Sequence, residues 1–151
     1  MNPQGKRLAL VVEGTSGDAH LILNALGRSD PECEVILKDD EKEALDYLLC
    51  RGAYAGRDGE IMPCVTLIDL AQPPSDGLAL VRELRAHEQT KLLPVVVFSS
   101  AEDHPQADEI YAAGANSYIG LRPGGEPFEE SIRHVAHYWC VVNDPPPLCS
   151  L

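Results

Sequence analysis

The stretch Cys64–Gly77, CVTLIDLAQPPSDG, decides the fold class. An apolar run from Val65 to Ile68 ends on one carboxylate, Asp69. Pro73-Pro74 turn the chain, and Asp76-Gly77 open a new pattern. There Leu78, Leu80, Val81 and Leu84 fall on one side and Arg82, Glu83 and Arg85 on the other. The run predicts a strand, and the spacing after it predicts a helix over 77–87. A strand that delivers an acid to its C-terminal edge before a loop and a helix is a frequent α/β site. Ligands of open α/β sheets collect outside the carboxyl ends of the strands. Asp69 is therefore a candidate functional acid, although the stretch alone fits equally well an aspartate that only ends the strand.

Outward from this unit the same alternation repeats. Toward the C-terminus, Pro94 starts PVVVFSS, whose run Val95–Phe98 is the strongest strand signal in the chain. Apolar residues at consecutive positions mark a strand covered on both faces. A helix over 102–113, closed by Gly114, leads to a short strand over 116–119. A last helix over 126–142 carries Phe128, Ile132, Val135, Trp139 and Val142 along one stripe. Toward the N-terminus, RLALVV (Arg7–Val12) is a buried strand cut off by Glu13-Gly14. Ser16 caps a helix running through Ala19, Leu21, Ile22, Leu23, Ala25 and Leu26. Glu34–Lys38 is a shorter, more polar strand nearer an edge. A helix over 41–51 follows it, stopped by Gly52, and then a loop over 51–63.

Five strand–helix units imply one parallel sheet with helices on both faces, because parallel neighbours need crossovers. A chain of 151 residues, 44% hydrophobic, suits one domain with one sizeable core. The reading places that domain at 1–142 and an extended, proline-rich tail at 143–151. The formal net charge of −12 disfavours direct binding to nucleic acid or to an anionic membrane. No apolar run approaches the ~20 residues of a membrane span, and the expected location is the cytoplasm. Cys33, Cys50, Cys64, Cys140 and Cys149 are scattered and odd in number. They favour reduced, buried thiols over a disulfide framework or zinc site, with Cys149 the exposed and reactive one. No dinucleotide or P-loop glycine motif follows any strand. His134 and His137 lie three apart on the last helix without a third ligand in view and are read as surface residues.

In a doubly wound sheet the ends of strands one, three and four are neighbours. Glu13, Asp69 and Ser99-Ser100 would then surround one crevice, with Tyr118 to Arg122 nearby. Carboxylates there suit a hard cation such as Mg²⁺, and a hydroxyl with a cation would stabilise a phosphoryl group. VVEG at Val11, LIDLAQPPSDG at Leu67, PVVVFSS at Pro94 and AAGANSYI at Ala112 resemble a two-component response-regulator receiver domain. The resemblance covers roughly 7–142 and implies a flavodoxin-like, five-stranded parallel sheet of order 2-1-3-4-5. It implies Asp69 as acceptor of phosphate from a histidine kinase, Ser99 as the switch hydroxyl, and Tyr118 as the aromatic that moves with it. Glu13, Asp69 and the carbonyl of Ala71 would be the metal ligands. The long loop bearing Gly52 and Tyr54, and the last helix through Tyr138-Trp139, resemble the stand-alone regulators that partner phytochromes. That subgroup implies a bacteriophytochrome kinase and a homodimer through the C-terminal part.

The pocket departs from the family pattern. The family carries two adjacent acids after the first strand, and this chain has Glu13 then Gly14. The missing carboxylate is the one that contacts the metal directly. Leu121 occupies the position of the family lysine, or Arg122-Pro123 takes the Lys-Pro place with a one-residue shift. A unit charge at about 4 Å from a divalent ion is worth on the order of 8 kcal/mol at an effective dielectric of about 20, before desolvation. The expectation is weak or absent Mg²⁺ binding. The leading function is a non-enzymatic, single-domain response regulator signalling through protein contacts. The alternative is a degenerate receiver that docks or dimerises without phosphorylation.

Overall fold

The computed structural model describes residues 7–13, 24, 33–59, 61–70, 77–99, 107–120 and 127–147. The expected first helix falls outside this set except for Asn24, which is helical. Strands β1 (Arg7–Val12), β2 (Cys33–Lys38), β3 (Val65–Asp69), β4 (Val95–Ser99) and β5 (Ser117–Gly120) form one sheet of order β2-β1-β3-β4-β5. Every pairing is parallel. The single parallel sheet is as the strand–helix alternation predicts, and its flavodoxin-like strand order is as the family resemblance implies.

Burial follows that order. Every residue of β3 and β4 is buried, while every residue of β2 and β5 is half-buried, as central and edge strands should be. Fully burying a Val, Leu or Phe is worth about 1.5–3 kcal/mol, so the uninterrupted Val95–Phe98 run belongs in the middle of the sheet. Helices α1 (Glu41–Leu48), α2 (Gly77–Ala86) and α3 (Ala107–Ala113) cover one face. Their Ala44, Leu48, Leu80, Val81, Leu84 and Ile110 pack with Leu10, Val12, Ile68, Val95 and Val97. Helix α4 (Phe128–His137) covers the other face, where Ile132 and Ala136 meet Ala9, Val11, Leu67, Val96 and Phe98. Strand alternation delivers these two residue sets to opposite faces.

Two boundaries differ from the sequence expectation. The helix over 41–51 ends at Leu48, not at Gly52. Asp40 caps its start, accepting from Glu43 N at 2.7 Å. At its end Cys50 adopts φ 53°, while Arg51 N donates to Asp46 O and Cys50 N to Tyr47 O. That bond pair is a Schellman turn, whose left-handed residue is usually glycine. Cysteine holds the position here, so the glycine two residues later misplaced the stop.

The last helix is not uniform either. After His137 the chain widens into a π-turn, Tyr138–Val142. The extra residue rotates the apolar stripe. Cys140 points inward at 3% exposure, whereas Val142, expected in the stripe, is 58% exposed.

The long loop after α1 is pinned rather than loose. Lys38 Nζ donates to the Tyr54 hydroxyl at 2.8 Å and to Glu43 Oε1 at 3.5 Å. It also sits 4.5 Å from the Tyr54 ring centroid and 5.0 Å from that of Tyr47. Arg57 covers the Tyr47 ring at 4.2 Å and donates to the carbonyls of Tyr47 and Ile61. At the opposite end of the sheet's α2 side, Arg85 donates to the carbonyls of Gly114, Lys91 and Leu93 and to Asn116 Oδ1.

Candidate functional site at the carboxyl edge of the sheet

Glu13, Asp69 and Ser99 end three adjacent strands. β1 pairs with β3 so that Val12 lies opposite Ile68. The next residues along, Glu13 and Asp69, are therefore level with each other. β3 pairs with β4 so that Asp69 lies opposite Phe98, which leaves Ser99 one step further out. Neighbouring strands lie about 4.8 Å apart, and this spacing sets the scale of the cluster. The three residues are 2%, 4% and 1% exposed. Backbone bonds hold the ends in place: Glu13 N donates to Lys38 O at 3.0 Å, and Leu70 N to Phe98 O at 2.9 Å.

Tyr118 lies on β5, opposite Val97, and Gly120 lies opposite Ser99. Tyr118 packs against the face that carries Val97, and alternation puts Ser99 on that same face. The two are diagonal neighbours across the ladder. A Cβ on Gly120 would stand 3.1 Å from the Tyr118 hydroxyl and 3.4 Å from its Cζ. The tyrosine therefore lies forward along its own strand, over Gly120 at the carboxyl edge, where any added side chain would crowd it.

Gly14, Ala71 and Arg122, which the sequence also assigns to the pocket, lie outside the described residues. Lys38, at the end of β2, is a cation that the sequence reading did not consider. Its ammonium is committed to Tyr54 and Glu43 on the α1 side. No sequence signal marks it, because Lys38, Glu43 and Tyr54 meet only once the loop folds back.

Buried carboxylates at adjacent strand ends repel unless a cation or proton intervenes. Oxygen donors of this kind are the ones a small hard divalent ion takes, completing its shell with water. Glu13 and Asp69 thus fit such an ion by donor chemistry. Among the described residues, no group of three or more His, Cys, Asp or Glu side chains is arranged to hold a metal.

No family model matches the sequence. A solved structure, the bacteriophytochrome response regulator RtBRR, is 33% identical over 94% of this chain and 85% of its own, with a TM-score of 0.70. The chain belongs to the response-regulator receiver family. Another solved relative, the phosphorylated cyanobacterial phytochrome response regulator RcpA, is 27% identical over 93% of this receiver and 99% of its own chain, with a TM-score of 0.80. The response regulator Rcp1 of Synechocystis sp. (strain ATCC 27184 / PCC 6803 / Kazusa) is 23% identical over 88% of each chain. Its Mn²⁺-bound crystal structure superposes with a TM-score of 0.79. At that identity the likeness speaks for the fold. This receiver domain thus has phytochrome-associated regulators among its relatives, and the flavodoxin-like expectation is met by the five-stranded sheet and its described helices.

Proposed function

We propose that Asp69 accepts a phosphoryl group from a histidine kinase and that the receiver domain passes the signal on through protein contacts. The observation that carries this is the position of Asp69 on the central strand, level with Glu13 on one side and one step from Ser99 on the other. In the transfer, an Asp69 carboxylate oxygen forms a bond to phosphorus as the phosphorus–nitrogen bond of the kinase phosphohistidine breaks. Glu13, Asp69 and the Ala71 carbonyl would hold Mg²⁺, which when bound would screen the charge of the incoming phosphoryl group. The Ser99 hydroxyl then donates to a phosphoryl oxygen. Tyr118, diagonal to it on the same face, changes rotamer with that bond. Arg122, with the one-residue shift, would take the place of the family lysine.

Gly14 stands where the family has its direct metal ligand, and Mg²⁺ binding is weak on this reading. Titration of Mg²⁺ against intrinsic fluorescence tests this, and micromolar affinity would refute it. Kinship with RtBRR and RcpA favours a phytochrome kinase as the donor. Incubation with acetyl phosphate and intact-mass detection tests the whole reading. A phosphate adduct on the wild type that Asp69→Asn loses is expected, and its absence from both refutes phosphorylation.

The second reading is a docking or dimerisation module independent of phosphate. Tyr138, Val141 and Val142 are 49%, 46% and 58% exposed on the π-turn, with Tyr138 edge-on to Trp139 at 5.1 Å. That apolar surface favours a homodimer through the C-terminal part. Sedimentation of the wild type against Val142→Glu tests it, and a wild-type monomer at all concentrations would refute it.

A further inference from the structure

Three cysteines far apart in sequence meet at the edge of the sheet opposite Asp69. Cys33 opens β2, level with Arg7 on β1. Cys64 immediately precedes β3 and donates its backbone N–H to Leu8 O at 2.7 Å. Cys140 projects from the π-turn between them. Its Sγ lies 3.3 Å from Cys33 Sγ and 3.2 Å from Cys64 Sγ. Each contact is only about 1.2 Å longer than an S–S bond. Arg7 fixes the turn from below, donating to Cys140 O at 2.6 Å and Asn143 O at 3.2 Å. The π-turn is what aims Cys140 inward, and such turns recur at functional positions.

All three thiols are free, with Cys64 and Cys140 buried and Cys33 half-buried. The sulfur contact with Cys140, against the effect of burial and with help from the Arg7 charge, holds Cys64 below the usual thiol range. Cys140 is driven the other way by its bonds to Cys33 and Cys64 and by burial. A central thiol that keeps its proton thus favours thiolate on Cys64, and thiolate is the reactive form. The described residues include no metal-holding arrangement here, so the contacts point to disulfide chemistry.

We propose that Cys33, Cys140 and Cys64 form a redox-modification site in which Cys140 makes a reversible disulfide with either neighbour, under peroxide as oxidant. Cys33, the half-buried sulfur, meets the peroxide. Its thiolate attacks one oxygen, the O–O bond breaks, and the departing hydroxide leaves as water, giving a sulfenic acid. Cys140 sulfur then attacks Cys33 sulfur. The S–S bond forms, the S–O bond breaks, and hydroxide leaves with the Cys140 proton as a second water. Two electrons pass from two thiols to one peroxide. Cys64 can next attack Cys140 sulfur, forming Cys64–Cys140 and releasing Cys33 as thiolate, which takes the Cys64 proton. Either disulfide staples the C-terminal turn to the sheet and holds the exposed Tyr138, Val141 and Val142 in one orientation. From Cys64 to Asp69 is five strand steps, roughly 16 Å. The site is therefore separate from the phosphoryl chemistry and does not depend on it.

The test is stoichiometric hydrogen peroxide on the full chain, followed by alkylation, intact mass and peptide mapping. The expected product has lost two hydrogens and contains Cys140 linked to Cys33 or Cys64 in the same chain. Dithiothreitol reverses it, and the oxidised form melts higher. Cys140→Ser abolishes the linkage, and Cys33→Ser slows formation of the buried Cys64–Cys140 bond. Mapping of the wild type decides the matter even if Cys140→Ser fails to fold. Three thiols that stay alkylatable after peroxide would overturn the proposal. So would oxidation that ends as sulfinic acid, or linkage only between chains through Cys149.

Discussion

Gly77→Ala is expected to lower the stability of the receiver domain and to disturb the ground beneath Asp69. Gly77 opens α2 and is buried against the end of β3. A Cβ there would lie 2.7 Å from Leu70 Cδ2, 2.9 Å from Ile68 Cγ2 and 3.5 Å from the Asp69 carbonyl oxygen. The Leu70 methyl ends a flexible side chain and can swing aside. The Ile68 Cγ2 is attached directly to a branched Cβ in a fully buried residue, so relief must come from movement of α2 or of the strand. Overpacking of this kind costs about 1–3 kcal/mol. Alanine recovers about 0.5–1 kcal/mol over glycine in a helix. The net expectation, from the middle of these ranges, is a loss of a little over ~1 kcal/mol, or about 2–5 °C in Tm for a chain of this size. Urea and thermal unfolding of wild type and variant measure it, with acetyl phosphate labelling of Asp69 as the functional readout. A variant as stable as the wild type and labelled at the same rate would refute the claim that the glycine lets α2 close onto β3.

Gly120→Ala should crowd the Tyr118 hydroxyl, 3.1 Å from the new methyl, and push the ring outward. Tyr118 should then be more accessible to nitration than in the wild type, and equal accessibility would count against the close approach. Arg85→Ala removes a guanidinium from four acceptors, three of them backbone carbonyls. It should cost about 2–3 kcal/mol in urea unfolding, and Arg85→Lys should rescue little because a compact ammonium cannot span the fork. Lys38 is held above its ordinary value of 10.5, because burial, which pulls it down, is outweighed by Tyr54 and Glu43. A raised folded value means that its contribution to stability is complete below pH 10.5 and is lost as pH climbs through the raised value. Tyr54→Phe should therefore make the alkaline fall of Tm shallower, and an unchanged slope would show that the clamp does not couple to folding.

The sequence by itself determined the sheet and its order of exposure. Val95–Phe98 is apolar at every position and Val65–Ile68 at every position but Thr66, the pattern of short, β-branched strands covered on both faces. The same runs end on Asp69 and Ser99, so the carboxyl edge of the sheet was legible without coordinates. Tertiary structure decided whatever depends on contacts between distant segments. Cysteine at a left-handed position, Cys50, ended a helix that composition would stop at Gly52. A π-turn sent Cys140 inward and Val142 outward, against the 3.6-residue stripe. Lys38 found Tyr54, and three cysteines from three elements converged, because the crossovers that build a parallel sheet bring strand beginnings together as surely as strand ends. Periodicity records which face of an element is buried. It carries no record of which side chains from other elements will be waiting there.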